Sequence, residues 1–123
     1  MRALVIDDSR TMRLVLRRIL EEHDFEVMEA PDGSEALAIL RQAGCVDVAL
    51  VDYNMPVMDG LEFIRAVRRD GAFKGLCLMM VTSESEANKV VAALAAGAHE
   101  YVMKPFTKEI IVEKLGLLGL IPA

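Results

Sequence analysis

Cysteine is scarce in this chain. There are two in 123 residues, Cys45 and Cys77, far apart and without metal-ligand spacing. That pattern excludes a disulfide framework and points to a reducing cytoplasm. Cys77 lies in an apolar run and reads as a small buried hydrophobe. Histidine is equally scarce. His23 follows Glu21-Glu22 at a helix end, where an imidazole meets the dipole. His99 sits in a turn before the last strand, and neither histidine reads as catalytic. No apolar stretch is long enough to span a bilayer, and no lipidation motif or signal peptide is present, so no membrane role is expected. A Gly-x-x-x-x-Gly-Lys-[Ser/Thr] stretch is missing, which argues against nucleotide hydrolysis. Positive charge is in deficit, 14 Lys and Arg against 19 Asp and Glu, and the net charge of −5 disfavours nucleic acid as a partner. Low-complexity segments and linkers are absent, so one domain over residues 1–123 is expected.

What is present is an alternation. Five times, a short apolar run is followed by a helical segment. The units average about 25 residues, near the size of a βα repeat. The first strand is Ala3-Leu4-Val5-Ile6, and the first helix begins near Ser9. Met12, Val15, Leu16, Ile19 and Leu20 form its apolar stripe, while Arg10, Arg13 and Arg17 share another face. That basic strip is either a solvated face or a docking surface. The second strand, Glu26 to Ala30, alternates and reads as an edge. Asp32 caps the second helix with Glu35 three residues on, and that helix ends at Ala43-Gly44. A third strand runs from Val46 to Val51. A loop marked by Pro56 and Gly60 follows, then a helix with Leu61, Ile64, Val67 and Arg68 in register. The fourth strand is Leu76 to Val81, and an alanine-rich helix starts near Ser85. The fifth strand is Glu100 to Met103, and Thr107 caps a helix carrying Ile110, Ile111 and Leu115. The apolar tail from Gly116 is expected to pack onto the body or extend that helix. The expected fold is α/β: one doubly wound, flavodoxin-like parallel sheet, order 2-1-3-4-5, with helices on both faces.

Ligands of such sheets bind at the carboxyl ends of the strands, where strand order reverses. Asp7-Asp8 closes the first apolar run, Asp52 the third, Thr82 the fourth and Lys104 the fifth. Any one acid reads equally well as a helix cap or turn residue. Together they place three carboxylates, a hydroxyl and an ammonium at one edge. Crowded carboxylates repel unless a cation is present, and Mg²⁺ suits hard oxygen ligands. Lys104 offers a point charge to a carboxylate or a phosphoryl oxygen. A cis Lys104-Pro105 bond would aim it back at the site. Thr82 offers a hydroxyl donor, and Asp52 is the candidate nucleophile for an acyl phosphate.

These residues stand within longer matching pieces: Val5-Ile6-Asp7-Asp8-Ser9, Ala30-Pro31-Asp32-Gly33, Val51-Asp52-Tyr53-Asn54-Met55-Pro56, Met58-Asp59-Gly60, Thr82-Ser83 and Tyr101-Val102-Met103-Lys104-Pro105-Phe106. Each alone is weak, but their order and spacing are specific. Across its whole length the chain resembles receiver domains of two-component response regulators, of the stand-alone chemotaxis, CheY-like type. The resemblance implies that Asp52 accepts a phosphoryl group from a histidine kinase. It implies that Asp8, Asp52 and the Asn54 backbone carbonyl ligate Mg²⁺ directly, with Asp7 acting through a metal-bound water. Thr82 and Tyr101 would form the switch, the hydroxyl moving toward the phosphoryl group and the ring turning inward. As an alternative, Tyr101 is an ordinary edge-strand aromatic. Asn54 and Glu84 would tune self-dephosphorylation over seconds to minutes.

Rival readings share parts of this pattern. A flavodoxin-like electron carrier needs a hydroxyl- and glycine-rich phosphate loop where Asp7-Asp8 stands. An aspartyl phosphatase of the haloacid-dehalogenase type places its nucleophile after the first strand. Within the receiver reading, a chemotaxis role acts through a downstream protein bound by the face of the fourth helix, fifth strand and fifth helix. A phosphorelay intermediate or kinase regulator instead docks a histidine phosphotransfer domain beside Asp52. Lys89 and the alanines of the fourth helix are either a docking surface or simply good helix formers. No output region follows Ala123 in this sequence, so action by binding is the expectation if the chain is complete; separately, a monomer is expected.

Overall fold

The computed structural model describes residues 1–122, with the side chain of Glu84 outside the description. The chain alternates β1 (Arg2–Ile6), α1 (Arg10–Glu21), β2 (Glu26–Ala30), α2 (Gly33–Ala43), β3 (Val48–Asp52), α3 (Gly60–Arg69), β4 (Cys77–Ser83), α4 (Val90–Ala96), β5 (Glu100–Lys104) and α5 (Lys108–Leu117). All strands are parallel, in the order β2-β1-β3-β4-β5. This is the expected doubly wound sheet, with the alternating strand β2 at its edge.

The two-residue period of the strands divides the core in two. Leu4, Ile6, Ala49, Val51, Leu78 and Met80 face α2, α3 and α4, where they meet Leu37, Leu40, Phe63, Ile64 and Val67. Ala3, Val5, Val48, Leu50, Met79 and Val81 face α1 and α5, where they meet Leu16, Ile19, Leu20, Ile111 and Leu115. The inner strands are apolar on both faces, as coverage by helices on both sides requires. Polarity therefore does not set their register. The polar residues at the strand ends carry that information, because a slip would pull them into the core.

Caps set the helix starts. Ser9, Asp32, Asp59 and Thr107 each accept a backbone N–H of the first turn. The reciprocal capping box is at Asp59 and Glu62, while Asp32 makes only its own half of one.

Several details differ from the expectations. Val15 lies 41% exposed. The buried stripe of α1 is Leu16, Ile19 and Leu20, flanked by half-buried Met12, and Val15 falls on its rim. In α3 the fully buried aromatic is Phe63, and Leu61 is only half-buried. Strands β3, β4 and β5 run one or two residues further toward their C-terminal ends, because Asp52, Thr82, Ser83 and Lys104 still pair along the ladders. The α-helix expected from Ser85 begins at Val90, and Glu84–Lys89 form a 3-10 segment with a non-helical Glu86. Alanine propensity acts only from Val90 onward, and no side chain caps either start. The tail folds back, with Leu118, Leu120 and Ile121 against the α1/α5 side of the core.

Candidate functional site

Asp7 is the first residue past β1, and its amide still donates to the Ala30 carbonyl. Its carboxylate is 1% exposed as a residue and doubly held. One oxygen accepts from the Ser9 amide at 2.9 Å, the other from Lys104 Nζ at 3.0 Å. Asp8, next in line, is exposed. Asp52 ends β3 and is buried, with Oδ1 3.3 Å from Lys104 Nζ. Asp7, Asp8 and Asp52 each present a carboxylate oxygen within 4.8 Å of the other two. Lys104 lies at the end of β5, two strands from β3, and its side chain must reach across the end of β4. The peptide bond that follows it, to Pro105, is cis. The ammonium bridges both buried acids, Asp7 at 3.0 Å and Asp52 at 3.3 Å.

The charges on this edge do not balance. Burial, and then the neighbouring Asp7 carboxylate, push the Asp52 carboxyl from 3.8 up to about 6, against the lowering effect of Lys104. Burial pulls the Lys104 ammonium down, but the Asp52 and Asp7 carboxylates outweigh it and leave it more basic than usual. Three acids therefore face one secure cation, and a hard dication suits the deficit. Asp7 has both oxygens engaged, which leaves Asp8 and Asp52 the freer donors. Thr82 carries a second sign of a missing group. It is fully buried, and its hydroxyl has no hydrogen-bond partner among the described residues. An unpaired buried hydroxyl costs about 1–3 kcal/mol, so an acceptor arriving at this edge would relieve a penalty already present.

The loop after Asp52 is anchored at several points. Met55 is buried in the core, and Asn54 is exposed. Val57 sits at φ 69°, a left-handed conformation that a β-branched residue rarely adopts. Gly60 closes the loop by donating to the Tyr53 carbonyl at 2.8 Å. A Cβ there would strike the Asp52 carbonyl oxygen, and Tyr53 Cα would lie 2.9 Å away. Only glycine lets α3 start so close to the acid-bearing strand.

Of the remaining candidates, Tyr101 lies on β5 away from the acids. The residue is 38% exposed, and its ring centroid lies 5.3 Å from Lys114 Nζ. Glu84 begins the segment after β4, but its side chain is outside the described part of the structure. The basic strip on α1 is neither a solvated face nor a free docking surface. Arg13 and Arg17 turn toward β2 and both bind Glu29, at 3.0 and 2.7 Å, while Arg10 stays exposed. The sequence reading missed this clamp. Its signal was available: an acid at an alternating position of an edge strand opposite two arginines spaced i, i+4. His99 has structural work, since its Nδ1 accepts from the Leu78 amide at 3.1 Å. Burial, together with nearby Arg68, lowers its pKa, in keeping with a neutral ring.

The family model for the response regulator receiver domain matches residues 3–116. The chain is 40% identical over 116 residues to the chemotaxis protein CheY1 of Helicobacter pylori, covering 94% of both chains. It is 41% identical over 117 residues to a CheY homologue of Campylobacter jejuni, covering 94% of this chain and 89% of the relative. The solved structure of the chemotaxis response regulator CheY4 of Vibrio cholerae superposes with a TM-score of 0.87 at 37% identity, over 95% of this chain and 97% of that one. The strand order, the polar edge it assembles and these matches agree: the chain belongs to the response regulator receiver domain family.

Proposed function

We propose that residues 1–123 act as one phosphorylation-activated switch whose phosphoacceptor is Asp52. The observation that carries this reading is the pairing of a buried Asp52 carboxylate, 3.3 Å from Lys104, with a Thr82 hydroxyl that has no partner among the described residues. A carboxylate oxygen of Asp52 attacks the phosphorus of a phosphohistidine on a kinase or phosphotransfer domain. The P–N bond breaks with its electron pair going to the imidazole, and an acyl phosphate forms. Lys104 sits ready to pair with the incoming phosphoryl oxygens, and the Thr82 hydroxyl is a donor for another. Transfer of this kind depends mainly on positioning and charge stabilisation. Asp8, Asp52 and the Asn54 carbonyl would hold Mg²⁺, with Asp7 acting through a water. Bound there, the metal would neutralise phosphoryl charge.

Once Asp52 carries phosphate, a new acceptor stands beside Thr82. A hydroxyl without a partner gains one, and the free energy biases β4 toward the arrangement in which it bonds. Movement of Thr82 opens room behind it for the Tyr101 ring, now on the outside. The face of α4, β5 and α5 then changes shape for a downstream protein. Asn54 and Glu84 stand two residues after the acceptor and the hydroxyl, positions from which to orient the water that ends the signal. The chain's enzymatic activity would be confined to its own phosphorylation and dephosphorylation. The chemotaxis names of its relatives support a chemotaxis-like partner, and a monomer in the cytoplasm is the working form. Incubation with acetyl phosphate and Mg²⁺ tests the chemistry. Mass spectrometry should show one added phosphoryl group on wild type and none on Asp52→Asn, and equal labelling of both would remove Asp52 from the role.

A further inference from the structure

Asp7 lies one residue past β1, so its carbonyl oxygen has left the strand ladder and requires another donor. Arg13, in the first turn of α1, supplies it, with Nη1 2.6 Å from that oxygen. The same guanidinium donates through Nε to one oxygen of Glu29 at 3.0 Å. Arg17 Nε takes the other oxygen at 2.7 Å, and its Nη2 donates to the Val27 carbonyl at 3.1 Å. Glu29 thus fixes Arg13 from β2 while Arg13 fixes the end of β1. The pair is sheltered, with side chains 16% and 30% exposed, unlike the open ion pairs that contribute little.

The consequence is geometric. The Asp7 carbonyl and the Asp8 amide belong to one rigid peptide plane. The Asp7 carboxylate has its own restraints in Ser9 and Lys104. The Asp8 carboxylate is exposed and has no hydrogen bond among the described residues, so the peptide plane that carries it is what places its Cα and sets the reach of its side chain. Rotation of that plane would swing Asp8 away from Asp52.

We propose that Arg13, braced by Glu29, is a positioning residue for Asp8, holding the Asp7–Asp8 peptide so that the Asp8 carboxylate stays aimed at the acid cluster. The proposal rests on the reading of that cluster as an Mg²⁺ site. Calorimetric titration of the full chain with Mg²⁺ tests it. Arg13→Met should weaken Mg²⁺ binding roughly tenfold, the scale seen when a group orienting a metal ligand is removed. Arg13→Lys, a single point donor in place of a fork, should fall between that variant and wild type. Glu29→Gln keeps the shape of the clamp and should lose a few-fold in affinity, which covers the case in which Arg13→Met does not fold. Arg2→Met serves as the control for stability. Arg2 holds the Ala43 and Cys45 carbonyls at the opposite end of β1, so its loss should lower Tm and leave Mg²⁺ affinity unchanged. Amide spectra of the metal-free protein give a second readout, in which Asp8 and Ser9 should shift or broaden in Arg13→Met while Asp52 does not. Wild-type Mg²⁺ affinity in Arg13→Met, or an equal loss in Arg2→Met, overturns the proposal. If wild type itself binds no Mg²⁺, the functional reading fails. The Asp8 and Ser9 amides then decide the positioning claim alone, and an unchanged spectrum ends it.

Discussion

Removing the charge of Asp52 should make the metal-free protein more stable, and by an amount that depends on pH. In the folded chain the carboxyl titrates at about 6 instead of 3.8, because burial and the Asp7 carboxylate oppose its ionisation more than Lys104 favours it. A raised folded pKa means that the folded state binds the proton more tightly. Its stabilising contribution is complete below 3.8 and is lost as pH rises through about 6. Across that window wild type gives up about 3 kcal/mol through this one group. Asp52→Asn has no proton to lose. It keeps a side chain of similar shape, and Lys104 keeps Asp7 at 3.0 Å. The variant should therefore exceed wild type by about 1.6 kcal/mol at pH 5 and about 3 kcal/mol at pH 7. Urea unfolding in EDTA across that range measures the gap, and added Mg²⁺ should narrow it by stabilising only the protein with an intact acid cluster. A gap that stays constant with pH, or a variant no more stable at pH 7, would refute the claim that this edge is strained by uncompensated charge.

Gly60→Ala should destabilise the fold by about 3 kcal/mol, because the added carbon meets backbone atoms of Asp52 and Tyr53 that cannot yield. Gly33→Ala should cost less than about 1 kcal/mol, since the obstructing atoms belong to the flexible Met58 side chain. Equal losses in thermal unfolding would contradict this distinction. Thr82→Val exchanges a fully buried hydroxyl that has no partner among the described residues for a methyl group of similar size. Unfolding in EDTA should show stability unchanged or raised by up to about 1 kcal/mol, while labelling by acetyl phosphate slows. A clear loss of stability in EDTA would mean that the hydroxyl is bonded after all.

Much of this molecule could be read from residue order. Five apolar runs alternating with helical segments determine a parallel sheet covered on both faces, because an apolar strand needs a covering layer on each side. The caps at Asp32 and Thr107 were legible because capping is local chemistry between residues three apart, while for α1 only a start near Ser9 was legible and the structure makes Ser9 itself the cap. Segment 84–89 was misread for the complementary reason. The alanines that favour helix lie mostly beyond it, only Ala87 falls within it, neither start has a side-chain cap, and the chain leaving β4 adopts 3-10 turns before α4 forms. Asp7, Asp8, Asp52, Thr82 and Lys104 could each be placed at a strand end, and a right-handed doubly wound fold brings strand ends to one edge.

Tertiary structure alone decided who holds whom at that edge. Lys104 comes from a strand two places away from β3, and nothing in its local sequence says that it bridges Asp7 and Asp52 together. The arginines of α1 looked like a surface strip until β2 placed Glu29 beneath them. Neither the isolation of the Thr82 hydroxyl nor the rise in the Asp52 pKa can be read from one segment, since burial is created by every element packed around it. Periodicity is a short-range property and chooses the elements. Partnership and desolvation are long-range properties, and they exist only once the layers have closed.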